Sequence, residues 1–137
     1  TELVAEALAI CPKPDQVVVG MGPGPFTGLR VGITFARSFA MARDIPVIGV
    51  CSLDAIAIDK NDYTVAIDAR RKEIYWASYK SGQRISGPSV NKPAEVEGYI
   101  LDQYPDMQRL VELSKTQNIS EPMYLRRPDA VPTAERT

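Results

Sequence analysis

The stretch GMGPGPFTGLRVG, Gly20 to Gly32, gathers five of the chain's nine glycines and sets Pro23 and Pro25 among them. A glycine-rich loop that feeds a helix presents unpaired amides and about half a positive charge, which together hold phosphate and other anions. Gly22, Gly24, Thr27 and Gly28, with Arg30 as the cation, are the residues that would form such a cradle. Against it, the spacing is neither G-x-x-x-x-G-K-[ST] nor G-x-G-x-x-G, and each proline removes an amide that a phosphate would use. An anion site and a purely structural turn both stand at this point. A second group, Asp68, Arg70, Arg71 and Glu73 in the run DARRKE, places two acids around two cations. It reads either as a solvated turn or as a contact of Arg70 and Arg71 with a partner.

The sharpest bound on chemistry is an absence: the 137 residues include no histidine. That removes the usual general base at neutral pH, the Ser-His and Cys-His pairs, and most zinc and iron sites. No metal and no cofactor is expected. Cys11 and Cys51 each stand beside an apolar pattern and not in a paired spacing, so both are expected as buried free thiols. With 16 basic against 17 acidic residues the net charge is −1, and no overall field would draw in nucleic acid. Contact with RNA would have to be local or indirect. No apolar run approaches the roughly 20 residues of a membrane span, and TELVAEALAI lacks the order of a signal peptide. A cytoplasmic protein without a membrane partner is the expectation.

The elements that must position these residues emerge from periodicity. Thr1 to Ile10 reads as a helix with more than one apolar face, ended by Pro12 and Pro14. QVVVG, from Gln16 to Gly20, is a short buried strand that runs straight into the glycine loop. Thr27 is the expected N-cap of a helix from about Gly28 to Arg43, and PVIGV a second buried strand. Ser52 is expected to cap a short helix through Ile58. The alternation predicts a parallel α/β sheet. From Tyr63 the texture changes to a hairpin, YTVAID and EIYWASY around ARRK. Ser81 to Pro93 is turn-rich, and Met107 to Lys115 reads as a short helix. EPMYLRRPDAVPTAERT, with Pro122, Pro128 and Pro132, is an extended tail in which Arg126 and Arg127 mark a soluble or docking segment.

The helix after the loop carries a further pattern. Gly28, Gly32, Ala36 and Ala40 recur every fourth residue, a strip of small side chains that would let another backbone approach closely. Glycine within a helix costs about 1 kcal/mol against alanine, so Gly32 asks for a packing reason. Burial inside a larger domain and burial against a partner both supply one.

VVVGMGPGPFTGLRVGITFARSFA, then PVIGVCSLDAIA, AIDARRKEIYWASY and EPMYLRRPDA, resembles the TsaB (YeaZ) family in the order and spacing of several motifs over most of the chain. The resemblance implies an actin-like (ASKHA, ribonuclease H-like) α/β fold, a mixed sheet with flanking helices. It also implies no catalytic activity and no cofactor, and a scaffold role beside TsaD in making threonylcarbamoyladenosine at position 37 of ANN-decoding tRNAs. TsaE would be a further partner, TsaC a functional link, a homodimer a possible state, and tRNA only an indirect contact. The interface the resemblance implies is the helix after the loop together with the first helix: Leu3, Ala7, Gly28, Leu29, Gly32, Ile33, Ala36 and Ala40. Arg70 and Arg71 would be a secondary contact.

The implied organisation is a first lobe over 1–60, a second over 63–118 and an extended tail over 119–137. Family members open with a strand carrying an IDTS-like segment that this chain lacks, and the spacing implies residues missing near Glu97 and Gly98 and near Asp59 to Asn61. The family's G-P-G-S-F-T-G has Pro25 here in place of serine, which removes a hydroxyl and an amide from the loop. The chief rival is a small ATPase or sugar-kinase-like enzyme using the Gly22–Gly28 loop. It would need two carboxylates across a cleft, and Asp68 is the single strand-end candidate. An M22-type peptidase fails on metal ligands.

Overall fold

The computed structural model describes residues 2–101 and 103–125. Helix α1 (Glu2–Ile10) leads to strand β1 (Val17–Gly20), helix α2 (Phe26–Arg43) and strand β2 (Val47–Val50). A single 3-10 turn at Leu53–Ala55 then leads to β3 (Asp62–Asp68), β4 (Ile74–Lys80) and β5 (Gln83–Asn91). A second 3-10 turn (Pro93–Glu95), the two-residue strand β6 (Tyr99–Ile100) and helix α3 (Met107–Leu113) complete the order.

β1 and β2 are the two β-branched runs, and they pair in parallel with Val17 opposite Val47 and Gly20 opposite Val50. Parallel neighbours need a crossover, and α2 supplies it. It packs Ile33, Ala36 and Ala40 inward. The second sheet is mixed, in the order β5-β4-β3-β6, with β3 antiparallel to β4 and parallel to β6. The predicted hairpin is present, Asp68 opposite Ile74.

The main core joins the turn after β2 to the hairpin and the tail. Cys51, Leu53 and Ile56 pack with Val65, Ala77 and Tyr79, and Ile119 and Met123 from the tail close over them. The tail is held as a strap. The Ile119 amide donates to the Gly49 carbonyl at 2.8 Å and the Met123 amide to the Met21 carbonyl at 2.7 Å. Arg37 donates from α2 to the Ser120 carbonyl at 2.8 Å, and Tyr124 lies 4.8 Å from the Phe26 ring. Gly49 is glycine because the strap leaves no room: a Cβ there would overlap the Ile119 carbonyl and the Met21 side chain.

Four local expectations are corrected. The α2 N-cap is Pro25, not Thr27, with no side-chain cap. Proline's ring presets φ near the helical value, here −57°, so the helix begins two residues earlier and Thr27 lies in its first turn. Ser52 does not cap a helix through Ile58. The helical turn stops at Ala55, and the Ser52 hydroxyl instead accepts the Gly22 amide at 3.0 Å. Ser81 to Pro93 is not loop: most of it is β5, an edge strand in which Gly87 (φ +88°) absorbs a register shift and sits against the Trp76 carbonyl. Edge strands tolerate the proline and glycine that made this segment look turn-rich. Cys51 is buried but Cys11 is exposed, just past the end of α1. Finally, the extended reading of the tail holds for 119–125, whereas Arg126 and Arg127 lie outside the described residues.

Candidate functional site

The glycine loop is built as a turn braced from three sides. Met21, Gly22 and Pro23 are buried. The Met21 amide donates to the Val50 carbonyl, the Gly22 amide to Ser52, and the Gly22 carbonyl accepts from the Ser52 amide at 2.8 Å. Gly22 adopts φ +98°, open to glycine at no steric cost, and the Leu29 side chain and the Met123 carbonyl crowd the place a Cβ would take. Of the cradle candidates, Gly22 thus spends its amide on Ser52, while Thr27, Gly28 and Arg30 are exposed. The Arg30 guanidinium sits 5.6 Å from the Phe26 ring centre. The loop's hydrogen bonds and packing account for the structural-turn reading.

At the hairpin tip, the Asp68 carboxylate accepts the Arg70 amide at 3.0 Å, closing the turn locally. Arg70, Arg71 and Lys72 come next with φ of +60°, +54° and +59°, three successive left-handed residues without a glycine. All three are exposed.

The small-residue strip divides. Four residues advance an α-helix about 40° beyond a full turn, so a strip of every fourth residue winds about 120° around α2 between its first and last members. Its beginning therefore faces out and its end faces in. A Cβ on Gly28 or Gly32 would meet nothing within 4 Å. Ile33, Ala36 and Ala40 are 2%, 6% and 1% exposed against the chain's own sheet, and Leu29 is half-buried over Gly22. These four are thereby occupied within the chain. On the open side the glycines are joined by residues the strip pattern passed over: Val31 and Phe35, 65% and 48% exposed, and Phe39 stacked on Phe35 at 6.1 Å. α1 contributes no buried residue at all, and Leu3 and Ile10 are 79% and 88% exposed, with Ala7 exposed between them.

A polar cluster that sequence reasoning missed lies where the 3-10 turn, β4, β5 and α3 converge. Asp54 is 6% exposed. Its Oδ1 accepts the Tyr79 hydroxyl at 2.6 Å and its Oδ2 the Gln117 amide at 2.8 Å, while Arg84 Nε lies 3.7 Å from Oδ1. Gln117 also takes the Cys51 amide at 2.9 Å, and Arg84 Nη1 donates to Cys51 Sγ at 3.2 Å. Burial, and then the donation to Asp54, push the Tyr79 hydroxyl well above the ordinary range for tyrosine. The Cys51 thiol is raised to about 11, by burial first and by Asp54 second. Both are thus held neutral, as structural donors and acceptors and not as nucleophiles. Among the described residues, no group of three or more Cys, Asp or Glu side chains is arranged to hold a metal ion.

Residues 1–131 match the family described as TsaD, tRNA N6-adenosine threonylcarbamoyltransferase. The chain belongs to this family. Within it, the kinship is to TsaB and YeaZ. The chain is 46% identical over 72 residues to the tRNA threonylcarbamoyladenosine biosynthesis protein TsaB of Escherichia coli, covering 48% of this chain and 31% of that protein. It is 56% identical over 91 residues to an uncharacterized protein of Mycobacterium leprae, covering 66% of this chain and 25% of the relative. A solved Pseudomonas aeruginosa structure, described as having similarity to peptidase YEAZ, superposes with a TM-score of 0.74 at 22% identity. That superposition covers 90% of this chain and 81% of the other. The chain thus spans between a quarter and a third of these two relatives' length, and its fold is the α/β arrangement of YeaZ. No helix among the described residues is long and apolar enough to cross a membrane.

Proposed function

We propose that the chain is a non-catalytic scaffold subunit of the machinery that makes threonylcarbamoyladenosine in tRNA, and that it binds and stabilises TsaD. The observation that carries this is the pair of uncovered apolar helix faces: α1, with nothing buried, and the Gly28, Val31, Gly32, Phe35 side of α2. Exposed apolar surface of this kind marks association sites, and the glycines on α2 admit a second helix at close range. The TsaB relatives named for this pathway support the same reading. The contact thus comprises Leu3, Ala7, Gly28 and Gly32 with Val31 and Phe35, while Ile33, Ala36 and Ala40 stiffen it from beneath. Arg70 and Arg71 form the secondary contact, toward TsaE. TsaC acts upstream without touching this chain, and tRNA is met only through the complex.

The experiment is size in solution with and without TsaD. A one-to-one complex, with each protein alone more prone to self-association, is the expected result. Failure to form a complex at micromolar concentration removes the scaffold reading, and a stable dimer of this chain that TsaD cannot exchange into reassigns the same face to a second copy.

A further inference from the structure

The Asp54 cluster forms the floor of a cleft of about 450 Å³, lined by Tyr79, Arg84, Arg109, Thr116 and Gln117 among others. That volume lies in the usual range for small-molecule sites. Two guanidiniums reach it from different elements, Arg84 from the start of β5 and Arg109 from the first turn of α3. Each is tethered by one edge to the same residue: Arg84 Nε stands 3.7 Å from the Asp54 carboxylate, and Arg109 Nε donates to the Asp54 carbonyl at 3.3 Å. The pair is therefore positioned before any ligand arrives.

Donors and acceptors here are out of balance. Two guanidiniums carry ten N–H donors. Among the described residues their hydrogen bonds run to the Cys51 sulfur, a soft acceptor, and to the Asp54 carbonyl. The Asp54 carboxylate meets Arg84 only at ion-pair distance, 3.7 Å, its two hydrogen bonds coming from the neutral Tyr79 and Gln117. The remaining acid, Glu112, stands at the rim with its side chain 56% exposed and 3.7 Å from Arg109. The two cations are thus matched by two carboxylates, each 3.7 Å from one of them, but the hydrogen bonds above occupy one N–H of each fork, so donors outnumber acceptors in the cleft.

We infer that this cleft is a binding site for a small oxyanion, a carboxylate or a phosphate, received by the free edges of Arg84 and Arg109. Planar forks of this kind match the oxygens of either group in pairs. Glu112 acts as a rim charge that weakens entry of the anion, and Asp54 as the positioning residue that fixes both forks. The inference is independent of the scaffold reading, because no residue lining the cleft belongs to α1 or α2.

The test is calorimetric titration of the 137-residue chain with succinate and, separately, with inorganic phosphate at constant ionic strength. Saturable one-to-one binding of at least one probe is expected, and whichever binds more tightly identifies the group the site prefers. Arg109→Gln should weaken it about tenfold or more, since a charge-assisted pair is lost. Glu112→Gln changes an exposed side chain outside the core and should tighten binding severalfold, keeping the test decisive if Arg109→Gln fails to fold. No saturable binding of either probe, or binding that Glu112→Gln leaves unchanged, overturns the inference.

Discussion

The Tyr79 hydroxyl donates to Asp54 Oδ1 over 2.6 Å, joining residues 25 positions apart at a point where both are buried. Removing one partner of a buried polar pair costs more than the pair contributes, because the survivor stays desolvated. Tyr79→Phe keeps the ring and its 4.9 Å stack on Tyr63 but strips Asp54 of its shortest donor. It should lower unfolding free energy by about 1–3 kcal/mol in urea titration. A loss below the error of the method would show that Arg84 and Gln117 suffice.

Gly49 tests the strap. Gly49→Ala adds a methyl where the Ile119 carbonyl and the Met21 side chain already lie. Overpacking of this sort costs about 1–3 kcal/mol. The tail should detach before the core unfolds, seen as loss of amide-exchange protection at Ile119 and Met123 while the Tyr79 region stays protected.

Two substitutions on α2 should separate surface from core. Gly32→Leu enters open space, so the melting temperature should hold while association with TsaD weakens. Ala36→Leu, at a position 6% exposed, should instead destabilise the chain itself by about 1–3 kcal/mol. Equal loss of association in both, with stability unchanged, would contradict the division of the strip.

Stability should fall in alkali. The Cys51 thiol ionises near 9.0 when unfolded and only near 11 when buried, and the Tyr79 hydroxyl is displaced in the same direction. Protons leave the unfolded chain first, so their contribution is intact below pH 9 and is lost as pH rises from there toward 11. Urea midpoints measured across that window should decline, and less steeply in Cys51→Ala. At about pH 8 a thiol reagent should modify the exposed Cys11 promptly and Cys51 only on unfolding.

Lys72 is the third of three left-handed residues at the hairpin tip, with φ +59°. Such a conformation costs a side-chain-bearing residue about 1 kcal/mol that glycine avoids. Lys72→Gly should raise the unfolding free energy by roughly that amount, less the added freedom of the unfolded chain. Thermal melts resolve it.

The α/β alternation was legible because VVVG and VIGV are β-branched runs too short for helices, and because α2 shows its end plainly at Asp44, although it starts two residues before the expected Thr27 cap would place it. The hairpin was equally plain. β5 was not, since QRISGPSVN shows no alternation and carries only Ile85 and Val90 as aliphatic residues. Its extended form comes from pairing with β4, a long-range effect no local window contains. The Asp54 cluster escaped for the same reason. Its members are single residues whose partners stand 25 to 66 positions away, so no spacing announces them. The small-residue strip is visible as a spacing, but it winds about the helix axis, and that winding decides which of its members reach the surface.

The strap carries one consequence for biosynthesis. A ribosome adding about 5–20 residues per second releases the glycine loop and α2 long before their clamps exist: Ser120 is made 83 residues after Arg37, and Gln117 66 residues after Cys51. Until then the Gly49 and Met21 carbonyls lack the amides of Ile119 and Met123 that later bond them, and it is in this interval that a chaperone would find the segment.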